Sequence, residues 1–130
     1  MKVVIIRHAE VDFSWSSRCT SEEFDKECRE YDMAPIKDAD YEIPGFEYRS
    51  IYISTLSRSR DTANRLPVEA PLKETGLINE VPLKSGFDSK KKLPLWFWNI
   101  TGRLQWVFNA SRQAEGSRQT RVRAAKFAER

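Results

Sequence analysis

Four consecutive β-branched residues, Val3 to Ile6, stop abruptly at Arg7-His8. A continuous apolar run of this length predicts a strand buried on both faces, the pattern of a parallel sheet. Such a sheet needs cover on both sides, so strands should alternate with helices along the chain. Thr20-Ser21-Glu22-Glu23 forms a capping box, and Phe24, Cys28 and Tyr31 behind it share one helix face. Pro35, Pro44 and Gly45 mark irregular chain. Ser50 to Ser54 predicts a second strand, and Leu56 to Leu66 a helix stopped by Pro67, with Thr55 or Ser57 as its N-cap. Leu77 to Val81 is a weaker third strand and Gly86 to Lys92 a polar loop. Ser117 to Arg130 predicts a final helix turning Val122, Ala125 and Phe127 inward. The expected architecture is α/β, a three-layer α/β/α sandwich with a mostly parallel sheet, in a single domain over residues 1–130.

Composition narrows the function. With 40% hydrophobic and 32% charged residues, the chain is of globular type. A net charge of +3 suits an anionic ligand but falls short of a nucleic-acid signature. Cys19 and Cys28 match no CxxC pattern, and a single histidine leaves too few ligands for a zinc site, so no metal or cofactor is expected. The two thiols are read as small core residues of a protein in a reducing compartment, the cytoplasm. The segment Leu93 to Phe108 is aromatic-rich but broken by Pro94, Asn99, Gly102, Arg103 and Gln105. It is too short to span a bilayer, which leaves core, a lid over a binding site, or an interfacial segment.

Ligands of open α/β sheets bind outside the carboxyl ends of the strands. Arg7-His8 ends the first expected strand, Ser54 ends the second and leads into the helix bearing Arg58, and Glu80 lies at the end of the third. One imidazole, two guanidinium groups and one carboxylate on one sheet edge make a phosphate-handling set. Guanidinium groups grip phosphate oxygens in pairs, and a helix N-terminus adds N–H donors. A neutral imidazole is a competent nucleophile toward phosphorus, and a nearby carboxylic acid can protonate the leaving oxygen. The alternatives are plainer: a strand-end histidine bonded to backbone, and an ion pair of Arg58 with Asp61 or Asp12. Glu10, Asp12 and Glu74 rival Glu80 as the acid. Arg60 and Arg65 are expected to face solvent.

Arg7-His8-Ala9-Glu10 resembles the RHGE motif of the histidine phosphatase (phosphoglycerate-mutase-like) superfamily. Ser54 to Ala63, STLSRSRDTA, is similar to that family's S-x-L-x-R-x-x-x-T-A segment, and Ile78-Asn79-Glu80 lies where the family has its L-x-E acid. The resemblance implies a metal-independent phosphomonoester hydrolase with His8 as phosphoryl acceptor. It implies Arg7 and Arg58 as phosphate ligands, and Glu80 as general acid, then general base for water. Ser14 stands where the usual asparagine contacts phosphate, and Ala9 replaces the usual glycine. The implied partner is a small phosphorylated substrate or inorganic phosphate.

The family also carries a second histidine at the end of a further strand, whereas this sequence has one histidine. Glu115 to Arg130 resembles the helix that precedes that strand. The expectation is therefore a sheet missing its C-terminal strand or strands, and association through the aromatic Leu93–Phe108 segment. Two alternatives stay open: a non-catalytic phosphate-binding remnant, and phosphoryl transfer of the mutase type.

Overall fold

The capping box closes as the sequence predicts. In the computed structural model, which describes residues 2–45 and 47–130, helix α1 spans Ser21–Met33. The Thr20 hydroxyl accepts from the Glu23 amide, and the Glu23 carboxylate accepts from the Thr20 amide at 2.8 Å. Pro35 disfavours helical geometry at the residue before it, and Ala34 is accordingly extended. Strand β1 (Arg18–Cys19) precedes the helix and pairs antiparallel with β4 (Leu93–Pro94), Arg18 opposite Pro94 and Cys19 opposite Leu93. Helix α3 (Leu95–Val107) starts where β4 ends.

This junction builds the core. Cys19, Phe24 and Trp98 are fully buried, with Trp15, Cys28, Leu83, Leu93, Leu95 and Phe97 packed around them. The Trp98 ring stacks on Phe24 at 6.0 Å, and its indole N–H donates to the Cys19 carbonyl at 2.9 Å. A buried indole needs that partner, and here strand β1 supplies it.

A second unit carries Arg58. Strand β2 (Ile51–Ile53), helix α2 (Ser57–Asn64) and strand β3 (Leu72–Glu74) form a parallel crossover, with Ile51, Tyr52 and Ile53 opposite Leu72, Lys73 and Glu74. A 3₁₀ turn, Gly76–Ile78, follows, and helix α4 (Ser117–Ala128) packs over it. Phe127 of α4 meets Tyr52 edge to face at 5.2 Å. Among the described residues the architecture is thus a mixture of helices with two small sheets, one parallel and one antiparallel.

Four local expectations change. Lys2 to Ile6 lies outside both sheets, with Val3 70% and Ile5 92% exposed. A strand buried on both faces needs neighbours on both edges, and among the described residues this segment pairs with no strand. The third strand is Leu72–Glu74 and not Leu77–Val81, because the Thr75 hydroxyl captures the Leu77 amide at 3.2 Å and starts the 3₁₀ turn. The aromatic segment divides: Trp98 is core, whereas Trp96 and Phe108 are exposed. On α4, Val122 and Ala125 face outward, because the inward face is anchored by Arg123 and Phe127. Among the described residues no helix is long and apolar enough to cross a membrane.

Candidate functional site

His8 sits at the end of the N-terminal segment with its side chain 8% exposed. Its Nδ1 lies 2.7 Å from the Ala9 carbonyl oxygen. A carbonyl only accepts, so Nδ1 carries the hydrogen, and this defines the role of the other ring nitrogen. Nε2 is buried, has no hydrogen-bond partner among the described residues, and faces Glu80 Oε1 at 3.3 Å. One proton between the two makes this contact favourable, whichever atom carries it.

Arg58 completes the group. It projects from the first turn of α2 and is buried to 3% exposure. Its Nη2 donates to Glu80 Oε2 at 2.6 Å and its Nη1 to Asp32 Oδ1 at 2.9 Å, while the Tyr31 ring lies 5.1 Å from the guanidinium carbon. The guanidinium therefore spans two carboxylates over an aromatic face, a desolvated setting that strengthens each contact. Burial pushes the Glu80 carboxyl up, but the hydrogen bond and charge of Arg58, with His8 adding, hold it below the ordinary value. Burial likewise opposes the charge on Arg58, and its hydrogen bonds to Glu80 and Asp32 outweigh it.

Thr62 registers the two halves of the site. Its hydroxyl accepts from the Ala9 amide at 2.9 Å and donates to the Arg58 carbonyl at 2.7 Å, tying the His8 segment to the Arg58 turn. The N-cap of α2 is Leu56, with no side-chain cap bond, and not Thr55 or Ser57. The Thr55 hydroxyl is engaged by the Asn79 amide group at 2.7 Å, and Ser57 turns to the Asp32 carbonyl at 3.4 Å.

His8, Arg58 and Glu80, picked from sequence, thus converge from three segments. Arg7 and Ser14 are exposed, and neither bonds to these three residues among the described residues. The rival acids stand apart: Glu10 pairs with Lys37 at 2.6 Å, Glu74 with Arg60, and Asp12 forms no hydrogen bond or ion pair with His8 among the described residues. Among the described residues Arg58 pairs with Asp32 and Glu80 and with neither Asp61 nor Asp12. Arg60 and Arg65 sit at the surface, Arg65 paired with Asp38 at 2.8 Å. Asp32, Tyr31, Thr62 and Asn79 belong to the site and were missed by sequence reasoning. For Asp32 and Tyr31 the signal was faint, a polar and an aromatic residue ending the α1 face; for Thr62 it was the T of the T-A pair. No group of three or more metal-ligating side chains occurs among the described residues. Comparisons with protein-family profiles, curated proteins and solved structures find no match to this chain.

Proposed function

We propose that this chain carries the phosphoryl-transfer site of a metal-independent phosphomonoester hydrolase of the histidine phosphatase type. One observation supports it above the others. His8 Nδ1 is bonded to a backbone carbonyl, so Nε2 is the free ring nitrogen, and it lies beside a carboxylate that is itself held by a buried arginine. Arg7 and Ser14 join Arg58 as phosphate ligands in this proposal on the strength of the motif resemblance. The three-layer sandwich with a mostly parallel sheet belongs to the same proposal, and the parallel β2–α2–β3 crossover supports it. Association through the exposed aromatic face of α3 is part of the proposal as well.

In the proposed reaction the phosphate group displaces Glu80 from Arg58. Deprived of that cation and set beside an anion, the carboxyl group takes the proton it shares with His8. The Nε2 lone pair then attacks phosphorus. The bond from phosphorus to the leaving oxygen breaks, and the Glu80 proton goes to that oxygen. Next, the Glu80 carboxylate accepts a proton from water as the water oxygen attacks phosphorus and the P–N bond breaks. Inorganic phosphate leaves and the proton remains on the His8–Glu80 pair.

A phosphoramidate on imidazole is acid-labile and base-stable, which gives the test. A 32P-labelled phosphate ester should leave an acid-labile label on the wild-type chain and none on His8→Ala. Labelling that persists in the variant would overturn the proposal. A second reading, a phosphate-binding unit without turnover, draws on the single histidine and on the two carboxylates that already occupy Arg58. It predicts saturable phosphate binding with no label.

A further inference from the structure

Glu80 reaches His8 from a short irregular turn, so something outside the site must hold that turn. Arg123 of α4 does so on one side. Its Nη1 donates to the carbonyls of Leu77 and Asn79, both at 2.8 Å, and of Gly76 at 3.3 Å. The rest of the same guanidinium is turned to Glu115, with Nε at 3.1 Å and Nη2 at 2.9 Å from Oε1. Glu115 Oε1 also accepts from the Thr120 hydroxyl at 2.6 Å, which accepts from the Trp106 indole N–H at 3.0 Å. Arg123 and Glu115 are mostly buried, their side chains 19% and 17% exposed. On the other side, the Asn79 side chain closes on Thr55, accepting from its amide at 2.9 Å and donating to its hydroxyl at 2.7 Å. The residue before Glu80 is thus gripped by the start of the α2 segment and by α4.

The chemistry asks for arginine. Its planar fork can lay one edge on a carboxylate while the remaining donors point to carbonyls, and an ammonium has no such second edge. Glu115 neutralises the charge and orients the plane, so the other donors are aimed at the turn before Glu80.

We propose that Arg123 is a positioning residue of the site: by holding the carbonyls of Leu77 and Asn79 it sets the Glu80 carboxylate between His8 Nε2 and Arg58, without touching substrate. This rests on the reading of Glu80 as the proton donor and extends the site to a helix that carries none of its reacting groups.

A role confined to stability would lower the melting temperature of an Arg123 variant and leave Glu80 where it is. The test therefore reads Glu80 directly. Carboxyl 13C labelling of glutamate, with the Glu80 signal assigned by its loss in Glu80→Gln, gives the Glu80 titration by NMR in the folded protein. Wild-type Glu80 should titrate below the ordinary value of 4.5, because the Arg58 contact outweighs burial. In Arg123→Ala the titration should move up toward that value. Arg123→Lys, which keeps the charge and loses the fork, should move it the same way, and it decides the matter if the alanine variant does not fold. The rate of acid-labile labelling should fall about 10-fold or more, part of the ~10²–10⁴-fold typical of a positioned general acid. Glu80 titrating unchanged in a folded Arg123→Lys variant would overturn the proposal. Absence of label in the wild type, with the Glu80 shift present, would instead overturn the phosphatase reading and leave Arg123 as the residue that holds Glu80.

Discussion

Glu80 is half-exposed, yet it bridges the His8 imidazole and the buried Arg58 guanidinium, and its protonation reports on both. Its carboxyl is held below 4.5 in the folded protein, so folding releases its proton more readily than the unfolded chain does. The stabilisation is therefore present above 4.5 and is lost as pH falls through the lower folded value. Solvent screening keeps it small. Glu80→Gln should melt below the wild type near neutral pH, and the two should converge in strongly acidic buffer. Parallel melting curves at the two pH values check this, and a gap that persists in acid would contradict it. At this scale the sequence was informative wherever a residue's role follows from its own chemistry. A histidine after a strand-like run, an arginine in a first helical turn and a glutamate near a turn could be named in advance. Asp32 could not, because its importance comes from the close of α1 onto α2, a contact across 26 positions.

Helix α3 contains a glycine whose removal should be costly for a reason no helix scale contains. A Cβ at Gly102 would lie 2.7 Å from Leu83 Cδ1 and 3.0 Å from the Lys84 carbonyl oxygen. The backbone of Lys84 cannot yield easily, since its amide and carbonyl are both bonded to the Gln113 side chain at 3.0 and 2.9 Å. Gly102→Ala gains about 1 kcal/mol of helix propensity but meets an overpacking penalty of ~1–3 kcal/mol at a site that cannot relax. Its melting temperature should fall by several degrees. A rise in a thermal scan would show that the Leu83 segment moves aside. Elements with a signal in their own residues were legible: the capping box at Thr20, and the α2 segment ahead of Pro67. Strand β3 was not, because Leu72-Lys73-Glu74 has one apolar residue and all three are exposed, so its pairing rests on the backbone ladder and on Lys73, which bonds to the Ser50 hydroxyl at 3.0 Å and lies over the Tyr52 ring. The run Val3 to Ile6 misled for the opposite reason. Its residues favour a strand, but strand pairing is decided by what lies alongside.

Over the whole molecule, apolar surface is shared unevenly. Trp96, Ile100, Leu104 and Val107 recur at helical spacing on α3 and are all about half or more exposed, with Phe108 beside them 78% exposed. A continuous apolar face of this kind is a contact surface in waiting. Light scattering at rising concentration should detect association of the wild type, and Trp96→Ser with Phe108→Ser should abolish it. A wild type that stays monomeric at high concentration would remove that face from consideration. Such a change would leave His8, Arg58 and Glu80 untouched, since Trp98, on the opposite side of α3, holds the core. Those groups are secured differently. The Thr62 hydroxyl joins the amide that follows His8 to the carbonyl of Arg58, so the His8 and Arg58 segments are linked through a single oxygen atom. A fluctuation that opens the first turn of α2 would carry off both at once, and the site would work as a latch, either shut and complete or open and idle.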